Sequence, residues 1–316
     1  MTDTTKTIFE TYEIRKSRKQ KTAFLQFVQE KTAAWGYGSR IEKGWCGARN
    51  LVIGDPARAK VVYTAHYDTC PVLPFPNFIT PKHIGIYLLY QIVVVTAFML
   101  VPMVAAMLLA GGFASAAGMD SDMSGALSVL VGYAVLAAVS LLILAGPANK
   151  HTANDNTSGV TVLLDILQTM PEELRADAAF VFFDLEEMGL FGSGGFASRY
   201  KKEMKDKLLV NFDCVSDGET ILLALQPKAG KYAPVLEKAF VAGEDRPVEI
   251  GGKGVFYPSD QKNFPCGVGV AALKRTKKGK ILYMNRIHTK NDTVYEEANI
   301  AWLTESALRL TKLMGE

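Results

Sequence analysis

Residues 84–108 and 125–146 contain no charged side chain. Nothing else in the chain limits its possible folds so strongly, since apolar runs of that length must be covered by protein or by lipid. A transmembrane helix needs about 20 mostly apolar residues, and both stretches reach that length. Each central Leu, Ile, Phe or Val favours insertion by about 0.3–0.6 kcal/mol, while Gln91, Pro102 and the glycines reduce the gain. Two successive runs of this kind rarely fit within a soluble core. The expectation is a transmembrane hairpin over residues 84–146, with helices at 84–108 and 125–146; a pair of buried soluble helices is the alternative. The connection from Gly111 to Ser124 holds Asp120 and Asp122 but no Lys or Arg, whereas Lys82 and Lys150 flank the pair. The positive-inside tendency then places both flanks in the cytoplasm. Ser128 and Gly132 form a small-xxx-small pair, suited to close packing on the first helix or on a second protomer.

A hairpin returns the chain to the side it left. Residues 1–83 and 147–316 can therefore join into one domain of a 316-residue, 34.5 kDa chain, which is long enough for one large α/β domain or two small ones. The net charge of +3 is near balance and calls for no nucleic-acid partner. Arg15, Lys16, Arg18, Lys19 and Lys21 read as a solvated helix face, with a phosphate or lipid-headgroup patch as the alternative. Cys46, Cys70, Cys214 and Cys266 form no CxxC pair, so reduced thiols are expected rather than a disulfide framework. The polar stretch Met1–Lys6 has no apolar h-region, and no secretory signal peptide is expected.

The chemistry-bearing residues gather at the ends of short apolar runs. Ala178–Phe183 reads as a buried strand leading to Glu186 and Glu187, followed by a glycine-containing turn. Carboxylates at the carboxyl end of a central strand lie where open α/β sheets place their ligands. Val61–Ala65 reads as a second strand, ending at His66 and Asp68, which share one face of the chain; taken alone, His-x-Asp serves equally as a structural pair. Leu208–Phe212 reads as a third strand and ends at Asp213. Asp155 lies in the polar loop that opens a helix over Val160–Met170, where a helix cap is the simpler role. Ile281–Met284 leads to His288. Jointly, these imidazoles and carboxylates suit zinc or a similar divalent ion. One aspartate bridging two ions, each completed by one His and one further carboxylate, leaves a Glu as base.

These residues fall in the segments AHYDT at 65–69, ANDNTSG at 153–159, DLEEMGLFGS at 184–193, NFD at 211–213, YPSDQKNF at 257–264 and HTKNDT at 288–293. Together and in this order they resemble the M28 family of zinc aminopeptidases. The resemblance implies an α/β/α sandwich with a mixed central sheet. It also implies two divalent metal ions, most simply zinc, bridged by Asp155. His66 and Asp213 would complete one ion's ligands, and Glu187 and His288 the other's. Glu186 would be the general base and Asp68 the partner of His66. Ser259 and Asp260 match a family Ser-Asp beside the substrate cleft, but Gln261 departs from the residue usual there, and no catalytic role is assigned to that loop. The implied reaction is hydrolysis of a peptide or amino-acid amide, beginning from a free N-terminus. The alternatives are an amidase or carboxypeptidase-like enzyme for N-acylated or amphipathic substrates, and a membrane-anchored binding protein without catalysis. Glutaminyl-cyclase-like activity is a weaker match to a complete two-metal ligand set. The hairpin departs from the soluble members. The short Pro-rich segment Thr69–His83 ties it to the catalytic strand, so the lipid bilayer becomes an expected partner.

Overall fold

The protein is described from a computed structural model covering residues 1–244 and 246–316. Among the described residues, one mixed sheet contains β1 (Ser39–Lys43), β2 (Arg49–Ile53), β3 (Val61–His66), β4 (Ala178–Phe183), β5 (Leu208–Phe212), β6 (Thr220–Leu225), β7 (Val248–Gly251), β8 (Gly267–Arg275) and β9 (Leu282–Tyr283). The strand order is β1-β2-β4-β3-β5-β8-β6-β7, with β9 on β8. The central strands β4, β3, β5 and β8 run parallel, as do β6 and β7, whereas the β1–β2, β2–β4, β6–β8 and β8–β9 pairs are antiparallel.

The helices are α1 (Asp3–Thr11), α2 (Arg18–Ala34), α3 (Ile84–Val95), α4 (Val101–Ala116), α5 (Ser121–Ala145), α6 (Gly159–Thr169), α7 (Phe191–Arg199), α8 (Ala233–Ala239) and α9 (Glu297–Gly315). Side-chain alternation along the strands gives each face of the sheet a core of its own. Tyr63, Ala65, Phe180, Phe182, Val210 and Phe212 pack with residues of α2, α6 and α9 on one face. Val62, Val181, Phe183 and Leu209 pack with Phe196 of α7 and with Phe264 on the other. Helices flank the sheet on both faces, as expected for an α/β/α sandwich. The parallel strands are buried on both sides, which explains their continuous apolar runs.

The two apolar stretches form long helices, with boundaries that differ from those expected. The first continues from Ile84 to Ala116 through one wide turn at Thr96–Leu100, well past residue 108. Gly111 and Gly112 stay helical, and the connection contracts to residues 117–120. Asp120 caps the next helix by accepting from the Met123 N–H at 2.8 Å. Both helices are long and apolar enough to cross a membrane. They pack on each other where side chains are small: a Cβ on Gly132 would collide with Met107 Cγ, and Ser128 Oγ donates to Met107 O at 2.6 Å. The ends of the insertion meet. Val72 N–H donates to Pro147 O at 2.8 Å and Asn149 N–H to Cys70 O at 3.1 Å.

The N-terminal basic cluster is not simply a solvated helix face. Arg15 is wholly buried, and Lys21 is buried against Asp184 at 2.7 Å. Arg15 Nε donates to Tyr67 O at 2.6 Å and Nη2 to Thr157 Oγ1 at 3.1 Å. The guanidinium thus ties the chain beyond β3 to the turn before α6. A charge hidden from water needs such partners.

Asp165 on α6 shows the opposite situation: burial pushes its carboxyl from 3.8 up to about 6. The ionised form is disfavoured in the fold, so stability declines as pH rises from 3.8 to about 6 and stays lower above it. Asp165→Asn is expected to stabilise the protein by about 1–2 kcal/mol at pH 7.5, with the gain shrinking toward pH 4. Thermal unfolding in detergent at both pH values measures it; no gain at pH 7.5 would contradict the burial argument.

Candidate active site

The site lies along the carboxyl edge of β4, β3 and β5, three adjacent parallel strands. β3 ends at His66, β5 is followed by Asp213, and the chain leaving β4 turns through Asp184 to Glu186 and Glu187. The structure brings His66, Asp155, Glu186, Glu187, Asp213 and His288 together, with Asp68 behind them. His66 Nε2 lies 3.2 Å from Asp155 Oδ1 and 3.5 Å from Asp213 Oδ1. His288 Nε2 lies 3.1 Å from Asp155 Oδ2 and 3.2 Å from Glu187 Oε2. Asp155 therefore presents one carboxylate oxygen to each imidazole. It does not cap α6; in that turn Asn156 Oδ1 accepts from Gly159 N–H at 3.0 Å.

Asp68 has a broader role than orienting His66. The His66 Nδ1 atom lies 3.1 Å from the Asp68 backbone oxygen and 3.6 Å from its carboxylate. The carboxylate accepts the backbone N–H groups of Glu186 at 3.1 Å and Glu187 at 3.3 Å. One residue thus holds the imidazole with its Nε2 toward Asp155, and anchors the paired glutamates as well. Leu185, Cys214 and His288 have left-handed φ values of 57°, 56° and 64°. For non-glycine residues this costs on the order of 1–3 kcal/mol each, and such strain concentrates at functional sites.

Burial alone would lower the His66 imidazole, but Glu186, Asp155, Asp213 and Asp68 outweigh it and hold the ring well above its ordinary value. Glu187 and Asp155 do the same for His288. Burial drives the Glu186 carboxyl well above its usual range, and the neighbouring carboxylates of Asp213, Asp260 and Glu187 add to the rise. Such a crowd of carboxylates is electrostatically suited to added positive charge.

The donor set fits divalent ions. Tetrahedral ligands about 2.1 Å from an ion stand about 3.4 Å apart, close to the His–carboxylate separations of 3.1–3.5 Å. Glu187 Oε1 is buried without a hydrogen-bond partner, leaving a lone pair available to a cation. The donor atoms of His66, Asp155 and Asp213 lie within 4.8 Å of one another, as do those of Cys70, Glu187 and His288.

Four residues matter here that the sequence reading gave no role in the site. Cys70 is buried beside Glu187 and His288; its only sequence signal was its place directly after AHYDT. Asp292 accepts the backbone N–H groups of Asn154 at 2.8 Å and Asp155 at 3.0 Å. Burial pushes its carboxyl up to about 7. It lies inside the segment HTKNDT, but sequence could not reveal what it holds. Arg15 braces the Tyr67 and Thr157 ends described above. Asp260, in the loop given no catalytic role, is buried without a partner for either oxygen, and burial raises its carboxyl to about 7.

The cluster opens into a cleft of about 280 Å³ lined by Ile79, Tyr87, Leu190, Tyr257 and Ile287 as well as the acidic residues. Roomier cavities of about 800 and 840 Å³ lie elsewhere and contain none of the clustered His, Asp and Glu residues.

The sequence model of peptidase family M28 matches residues 131–310. Comparison with curated proteins finds no significant match. Among solved structures, a glutaminyl cyclase from Porphyromonas gingivalis is similar at 16% identity, covering 98% of this chain and 97% of that one, with a TM-score of 0.58. A leucine aminopeptidase precursor from Bacteroides thetaiotaomicron is 15% identical, covering 97% and 93%, at 0.55. A Zn-dependent exopeptidase from Parabacteroides distasonis is 14% identical, covering 97% of each chain, at 0.54. At these identities the structural likeness establishes the fold.

Protons compete with a metal ion for imidazole nitrogen. Because both histidines take protons at higher pH than a free imidazole, divalent-ion affinity is expected to fall as pH decreases, beginning above 6.5. Calorimetric zinc titration at pH 8.5 and 6.5 should show weaker binding at the lower pH; equal affinities would rule out these imidazoles as ligands.

Proposed function

The chain belongs to peptidase family M28, and on that premise we propose that it is a membrane-anchored aminopeptidase working with two divalent metal ions, zinc foremost. The observation that carries this reading is the Asp155 carboxylate, which offers one oxygen to each of two imidazoles. In the proposed assignment, His66, Asp155 and Asp213 would hold one ion, and Asp155, Glu187 and His288 would hold the other. The catalytic domain comprises residues 1–83 and 147–316, with residues 84–146 anchoring it and both flanks on the cytoplasmic side.

Bound ions would supply Lewis acidity, lowering the pKa of water and polarising the scissile carbonyl. Glu186 faces the cleft and remains free for proton transfer while Glu187 is engaged with His288. It accepts a proton from the attacking water and delivers it to the leaving amine. The C–N bond breaks as water adds, giving a carboxylate and an amine. Asp68 keeps the Glu186–Glu187 turn and His66 in fixed relation, which avoids reorganisation during the reaction. Asp292 does likewise for the backbone of Asp155.

Glu186→Gln preserves the shape and removes the base. It is expected to retain metal while losing about 10²–10⁴-fold in kcat, read by metal analysis alongside turnover of leucine p-nitroanilide. Near-native activity would refute the base assignment.

A second reading, an amidase for N-acylated or amphipathic amino acids, is favoured by the apolar helix residue Tyr87 in the cleft wall. A panel of free-amine, N-acetylated and N-terminal glutaminyl substrates separates the options. The aminopeptidase reading expects free-amine substrates to be hydrolysed fastest. Preference for the N-acetylated form favours the amidase, and cyclisation of the glutaminyl peptide favours a cyclase. Purified protein unable to take up divalent metal would point instead to a binding role.

A further inference from the structure

A second cavity, of about 210 Å³, adjoins the catalytic cleft. Its walls are Leu73 and Phe75 from the segment before the hairpin, Val94 and Phe98 from the long first helix, and Ile143 from α5. Asn77 and His288 line both this cavity and the cleft. Neither space alone, at about 210 and 280 Å³, reaches the about 300–1,000 Å³ usual for a whole ligand. Through their shared residues they can hold one molecule between them, apolar at one end and polar at the other.

Helix length locates the cavity relative to a bilayer. The first apolar helix has 33 residues, about 50 Å at 1.5 Å per residue, against a hydrocarbon core of about 30 Å. Its early turns lie against the catalytic domain. Tyr87 packs on Phe256 at 5.6 Å and Tyr90 on Phe78 at 5.2 Å, and Tyr90 Oη donates to Pro76 O at 2.6 Å. Phe75 still reaches Phe98 at 4.5 Å. The cavity therefore spans the level where this helix would leave the domain and enter lipid. Gln91, an amide within the apolar run, lines it, and polar side chains in membrane helices generally mark functional positions.

We propose that this cavity binds the unbranched alkyl chain of an amphipathic amide substrate, taken from the bilayer surface with its amide bond presented to Glu186. The hairpin is then part of the substrate site as well as an anchor. This rests on the amide-hydrolase reading for its chemistry, but alkyl-chain binding can be tested separately. Two sources share the chemistry: the chain attached to the leaving amine, or to the acyl carbon.

The test uses full-length, zinc-loaded protein in lipid nanodiscs with two substrate series, leucine alkylamides and N-acyl leucines, each with four, eight and twelve carbons. In the responding series kcat/KM is expected to rise about fourfold per buried methylene, and that series identifies the side of the amide carrying the chain. Val94→Trp, or Ile143→Phe from the other helix, should flatten this dependence, whereas Leu89→Trp on the exposed face should preserve it. Hydrolysis independent of chain length in both series overturns the proposal and leaves the hydrolase reading standing. A binding arm needs no turnover: an alkylamide with a diazirine at the chain end is photolysed on the Glu186→Gln protein and the labelled residues are mapped. Label on Val94 or Phe98, lost in Val94→Trp, supports the site even if no substrate is hydrolysed. Label confined to Leu88, Leu89 and Ile92 overturns it.

Discussion

The carboxylate of Asp155 is the point on which the rest of the site depends. It stands between two imidazoles that come from distant parts of the chain, at 3.2 and 3.1 Å, and a buried charge so placed must be positioned by its surroundings. Asp292 grips the backbone on its N-terminal side, the buried Arg15 braces the same turn through Thr157, and Asn156 bonds to the Phe212 carbonyl at the end of β5. Parallel strands end side by side, so each contributes a side chain or loop at the same edge without the backbone bending to reach it. The left-handed residues Leu185, Cys214 and His288 mark where the loops still had to turn sharply.

The same packing explains how a long apolar helix pair can interrupt the chain that forms the sheet. The insertion leaves and returns at neighbouring points, joined by the Val72–Pro147 and Asn149–Cys70 backbone bonds. Closing a loop costs little additional entropy as it lengthens, and a helical pair satisfies its own backbone groups, as a membrane requires. Its root also touches the site: Leu73 N–H donates to the His288 carbonyl at 2.7 Å. A movement of the hairpin root would therefore be felt at a residue of the proposed metal centre.

Much of this was legible in the linear chain. Val61–Ala65, Ala178–Phe183 and Leu208–Phe212 read as buried strands because a parallel sheet covered on both faces demands unbroken apolar runs. The hairpin was legible because uncharged stretches of such length have few alternatives. Its limits were less so. Gly111 and Gly112 are turn signals in water, yet they continue the helix, and Gly111 lies close to Ser128. The basic run near the N-terminus looked solvated because composition cannot tell a surface lysine from Lys21, whose partner Asp184 follows it by 163 positions.

By itself, the sequence determined the residue types able to bind a cation or transfer a proton, their places at strand ends, and an apolar length sufficient for a bilayer. Those properties are local, governed by side-chain chemistry and by periods of two or 3.6 residues. Tertiary structure decided which oxygen of Asp155 faces which imidazole, that Asp68 holds the glutamate pair through backbone N–H groups, and that Cys70, Asp260 and Asp292 surround the cluster. It also decided that the first helix borders the cleft before continuing onward. Each of these is a contact between groups far apart in the chain, set by strand order and packing, for which no local pattern exists.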